Sequence, residues 1–120
     1  MVRRLFSFMQ EEVPVAGIRE WLSLLIGRRR GLLVDGDSML PTLRSGEKVL
    51  IDPRATLHVG DIVGAHHPFK SKTKLIKRLL SIEPDGRYSL GGDNISVSTD
   101  SRTFGTIARE QVIGKVVARI

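Results

Sequence analysis

From Gly31 onward, glycine, proline and aspartate cut the chain into apolar stretches of three to nine residues, too short for ordinary helices and suited to β-strands. Gly31 to Asp35, Lys48 to Asp52 and Asp61 to His66 read as strands, the last two closed by Pro53 and Pro68. Lys74 to Ile82 and Tyr88 to Leu90 read as a hairpin around Asp85-Gly86. Val112 to Ile120 alternates poorly and reads as a buried strand. Many short strands with this punctuation predict a compact, mostly β, antiparallel domain.

The first thirty residues read differently. Pro14 can open a helix that places Ile18, Trp21, Leu22, Leu25 and Ile26 on one face and Arg19, Glu20 and Ser23 on the other. Gly27 would end it, ahead of Arg28-Arg29-Arg30. The expected division is an N-terminal segment with an amphipathic helix at 1–30 and a catalytic domain at 31–120. The apolar stripe either docks on the domain or a partner, or lies on a membrane surface beside the arginines.

Composition narrows the function. With 120 residues there is material for one core, and with no cysteine there is neither a disulfide framework nor a thiolate nucleophile. The net charge of +6 is spread along the chain, and one Trp and one Tyr offer little base stacking, so no nucleic-acid partner is expected. His66 and His67 point to opposite faces of a strand and have only His58 besides, so no metal site is expected. Val13 to Ile26 is too short, and too charged at Arg19 and Glu20, to span a bilayer. A cytoplasmic location follows as the expectation, with peripheral membrane contact at most.

Three stretches carry chemistry. Gly36-Asp37-Ser38-Met39-Leu40-Pro41-Thr42 presents a serine on a turn between extended segments, although Gly, Asp, Ser and Pro are also ordinary turn residues. A serine hydroxyl needs a base in reach and donors for a developing oxyanion before it is a nucleophile. In Lys74 to Ile82, strand alternation puts Leu75, Lys77 and Leu79 on one face and Lys74, Ile76, Arg78 and Leu80 on the other. Both faces are mixed, and the first favours Lys77 as the inward lysine, where desolvation disfavours the ammonium form and leaves a usable general base. The third stretch runs from Gly91-Gly92-Asp93-Asn94 through Ser98-Thr99-Asp100-Ser101-Arg102 to Gly105.

In that order, GDSMLPT, IKR, then GGDN with SxDSRxFG, the chain from Leu33 to Arg119 resembles the signal peptidase I family of Ser-Lys proteases. The short length and the wording DPRA, AHHPF and STDSRTFG resemble one soluble branch, the nickel-type superoxide dismutase maturation proteases. The resemblance implies Ser38 as nucleophile, Lys77 as general base and Ser98 as the hydroxyl that orients the lysine. It implies Asp100 and Arg102 as braces of the site floor, and Gly92, Asp93 and Asn94 as the turn that carries this segment to the dyad. The Ser38 backbone N–H would serve the oxyanion, with Gly36 standing where other members carry a hydroxyl. Met39 would line the substrate pocket, and Pro41 and Thr42 would set the chain direction. Fourteen residues lie between Lys77 and Gly92, where larger signal peptidases insert a second β domain.

The implied activity is a serine endopeptidase without cofactor or metal that removes the N-terminal prosegment of a nickel superoxide dismutase precursor. The alternative is a peripheral signal peptidase acting on exported preproteins. A self-cleaving repressor-like switch shares the Ser-Lys dyad but is disfavoured, since no helix-turn-helix module precedes it and GGDN with SxDSR belongs to signal peptidases.

Overall fold

A computed structural model describes residues 12–25, 27–70, 72–97 and 104–120. Its elements are α1 (Ile18–Leu25), β1 (Arg30–Leu33), β2 (Lys48–Asp52), β3 (Ile62–His66), β4 (Lys74–Ile82), β5 (Tyr88–Gly91), a short 3₁₀ turn (Arg109–Gln111) and β6 (Val112–Arg119). The strands form one antiparallel sheet in the order β1-β2-β6-β3-β4-β5, the mostly β architecture expected from the short apolar stretches.

Alternation along the strands divides the core. Ile62 and Ile76 pack in a cluster with Val34, Met39, Leu43, Val49, Ile51 and Val116. Their neighbours Val63, Leu75 and Leu79 join Leu57, Leu90, Phe104 and Ile107 in a second cluster. Successive strand side chains point to opposite faces, so β3 and β4 feed both clusters and are covered on both sides. This is why β4 reads as apolar on two faces, and it is what encloses Lys77.

The last strand, β6, lies between β2 and β3, which explains its run of apolar residues. Its burial nevertheless alternates regularly, in contrast to the poor alternation of the sequence, because Gly114 fills a covered position that would otherwise hold an apolar side chain. A Cβ on Gly114 would sit 2.4 Å from the Asp52 carbonyl oxygen and 2.7 Å from Pro53 Cα, so the backbone of β2 occupies that space. The register slips by a residue on both flanks of β6, between Leu50 and Ile51 and between Gly64 and Ala65. Such bulges add local twist and curl the sheet.

The helix differs from its expected form. Pro14 does not open it. Arg119 N–H donates to Pro14 O at 2.7 Å and Ala16 N–H donates to Arg119 O at 2.6 Å, which holds this segment extended beside the end of β6. Helix α1 starts only after Gly17, whose N–H is capped by the Glu20 carboxylate at 3.0 Å. Of its apolar stripe, Ile18, Trp21 and Leu22 stay uncovered, at 77%, 47% and 53% exposed, and the side chains of Leu25 and Ile26 lie outside the described residues. Among the described residues, no helix is long and apolar enough to cross a membrane.

Candidate active site

The Ser38 turn is the arch between β1 and β2. Its feet are tied by Val34 N–H to Glu47 O and Gly46 N–H to Val34 O, both at 2.8 Å. Within the arch, Leu40 N–H donates to Asp37 O at 3.2 Å and Leu43 N–H to Met39 O at 2.9 Å, a tight coil that buries Met39, Thr42 and Leu43 and leaves Ser38 half-buried. Gly36 has φ +83°, the left-handed region that glycine adopts without strain. A hydroxyl-bearing residue at this position would therefore carry a backbone cost, and the Gly36 N–H itself donates to Ser45 Oγ at 3.0 Å.

Lys77 is 4% exposed, in the middle of β4 opposite Val63. The face it shares with Leu75 and Leu79 is the one strand alternation predicts. Ser38, Met39 and Lys77 line one cavity of about 70 Å³ with Leu33, Val34 and Ile76. A serine on a constrained turn and a buried lysine at one small cavity, which Asp35 and Lys74 also line among the aliphatic side chains, is an arrangement in which proton transfer from the hydroxyl to the amine is chemically reasonable.

The turn that follows β5 clasps the arch. Asn94 N–H donates to Ser38 O at 2.8 Å, and Asn94 Nδ2 donates to Asp37 O at 3.1 Å. Asp93 accepts from the Thr42 hydroxyl at 2.6 Å and from Arg78 Nε and Nη2 at 3.1 and 2.7 Å. Arg78 also reaches Gly60 O at 2.7 Å and pairs with Glu12. Burial alone would lower the Arg78 pKa, but the hydrogen bonds and charges of Asp93 and Glu12 outweigh it and hold the guanidinium above its usual value. Gly92 is half-buried at the head of this turn.

Thr42 and Arg78 are thus central to the brace, and the sequence reading gave them no such role. Arg78 was detectable in principle: as the residue after Lys77 on a strand, it must face away from Lys77. Thr42, wholly buried, carries its signal only through its partner Asp93, which lies 51 residues away. Ser98, Asp100 and Arg102 lie outside the described residues.

A serine on a tight, hydrogen-bonded turn and a buried strand lysine on an antiparallel sheet define, at the coarsest level, a candidate hydrolase of the peptidase kind. Comparison with known proteins goes further. The model of the family "Signal peptidase, peptidase S26" matches residues 22–86 and 81–120, and the chain belongs to that family. It is 33% identical over 111 residues to the mitochondrial inner membrane protease subunit 1 of Schizosaccharomyces pombe, covering 73% of this chain and 71% of the relative. The Xenopus tropicalis protein of the same name is 29% identical over 112 residues, covering 74% and 67%. A shorter match, 49% identical over 39 residues, is to signal peptidase IB of Staphylococcus aureus and covers 32% of this chain and 20% of that one.

These relatives correct the expected cytoplasmic location. The proteins that match over most of the chain are inner-membrane protease subunits, which points to a membrane setting. The expectation rested on the lack of a spanning segment, and attachment to a membrane does not require one.

Proposed function

We propose that the chain is a Ser-Lys endopeptidase of the signal peptidase type that removes leader segments from preproteins at a membrane. The observation that carries this is the shared cavity of Ser38 and the buried Lys77. Neutral Lys77 Nζ takes the Ser38 Oγ proton as Oγ bonds to the scissile carbonyl carbon. The Ser38 N–H faces the developing oxyanion, collapse breaks the C–N bond, and the lysinium returns the proton to the leaving amine. Water, deprotonated by the same amine, then cleaves the ester and frees Ser38. Ser98 orients the amine. Asp93 and Asn94 hold the turn on which Ser38 sits, and by the family resemblance Asp100 and Arg102 would brace the floor of the site. The small cavity beside Met39 suits a small side chain next to the scissile bond.

The second reading, processing of a nickel superoxide dismutase precursor, draws on the wording of Asp52 to Ala55, Ala65 to Phe69 and Ser98 to Gly105. The relatives above support the leader-peptidase reading better. Matched incubations of the purified chain with an exported preprotein and with a dismutase precursor, read by mass spectrometry, separate the two. A single cut at the leader boundary of the preprotein, with the dismutase precursor intact, is the expected result. The reverse pattern would replace the first reading by the second.

A further inference from the structure

Beside the catalytic cavity lies a second one of about 70 Å³, lined by Arg30 from β1, His66 from β3 and Lys74 from β4. His66 and Lys74 are direct register partners, and Leu32, Ile51 and Ile113 complete much of the wall. Among the described residues, no carboxylate lines this space. Two cations and an imidazole gathered around one pocket favour an anion with several acceptor oxygens, and a phosphate group has both the charge and the acceptors.

A second, independent feature indicates where that phosphate comes from. Helix α1 ends a few residues before Arg30 and exposes Ile18, Trp21 and Leu22, followed by Arg28 and Arg30, which are also exposed. Exposed apolar residues next to arginines fit the boundary of an anionic bilayer, where apolar side chains enter the acyl region and cations meet headgroups. We propose that Arg30, His66 and Lys74 form a site for the phosphate of an anionic phospholipid headgroup, occupied as the apolar face of α1 enters the bilayer surface. Lys74 also lines the Ser38 cavity, so a seated headgroup would hold the catalytic cavity against the membrane. This proposal is independent of which precursor is cut.

Flotation of the purified chain with vesicles tests it without any peptidase assay. The chain should float with vesicles of phosphatidylcholine and phosphatidylglycerol and not with phosphatidylcholine alone. Arg30→Gln and Lys74→Gln should each weaken binding about fivefold, the usual contribution of one cation near an anionic surface. Trp21→Ser combined with Leu22→Ser should abolish flotation. Arg44→Gln removes an exposed arginine that lines a different groove and should leave binding unchanged. All these positions are exposed, and unchanged melting of each variant verifies the fold. An equal loss in Arg44→Gln would mean diffuse attraction by net charge and would overturn the site. Binding of inorganic phosphate without flotation would overturn the lipid as its ligand.

Discussion

Removal of the Asp93 side chain should loosen the arch that presents Ser38, and the structure sets the scale. Asp93→Ala deletes three hydrogen bonds, one from Thr42 at 2.6 Å and two from Arg78 at 3.1 and 2.7 Å. Hydrogen bonds to charged groups contribute roughly 1.5–3 kcal/mol each, but they do not add when the partners keep other contacts. Arg78 keeps Gly60 O and Glu12, and water reaches a pair whose side chains are 16% and 15% exposed. The cost therefore falls at the low end for a broken buried pair, about 3 kcal/mol. Urea denaturation followed by circular dichroism measures it. With a slope of about 1.5 kcal/mol per molar urea, the midpoint should fall by about 2 M. Glu12→Gln is the internal control: its carboxylate is 46% exposed, so its loss should cost less than about 1 kcal/mol. A midpoint for Asp93→Ala close to that of the parent, or a loss in Glu12→Gln as large as in Asp93→Ala, would refute the brace.

Other consequences are as direct. Thr42→Val keeps the buried volume but removes the donor to Asp93, and it should cost about 1–2 kcal/mol in the same denaturation assay. Gly114→Ala places a methyl against the Asp52 carbonyl, so β2 or β6 must shift; a stability loss above about 2 kcal/mol is expected, and a near-neutral result would contradict the close packing of these strands. The pH dependence follows from the amine as base. Only neutral Lys77 accepts the Ser38 proton, so kcat/KM should rise as pH rises and the lysinium fraction falls. A flat neutral-to-alkaline profile with chemistry rate-limiting would contradict a lysine base.

How far the sequence was legible follows from where each signal resides. The strands could be read because their apolar runs and terminating prolines are local, and β2 begins and ends at the residues expected, Lys48 and Asp52. Lys77 was legible only in part, because alternation is local but leaves both faces of this strand mixed, and only the sheet packing on both sides of β4 encloses the lysine. The start of α1 was not, because Pro14 and Ala16 bond to Arg119, a partner more than a hundred residues away that no window on the N-terminus contains. The same holds for the brace. Thr42 and Arg78 look like a turn residue and a surface cation until the sheet brings Asp93 between them. Exposure of the helix stripe was equally invisible, since an amphipathic pattern reports that an apolar face exists and not what covers it.

The most direct test of the account is the turnover of Ser38→Ala, Lys77→Met and the double variant on one cleavable precursor, with Lys72→Ala as control. Methionine keeps an unbranched apolar chain in the buried Lys77 position, so loss of the fold does not mimic loss of the base. Each single change should lower kcat by at least about 100-fold, and the double variant should be no slower than the worse single one, because nucleophile and base act as a unit. Lys72→Ala should retain most activity. Substantial turnover by Lys77→Met, or losses that multiply in the double variant, would contradict the Ser38–Lys77 dyad.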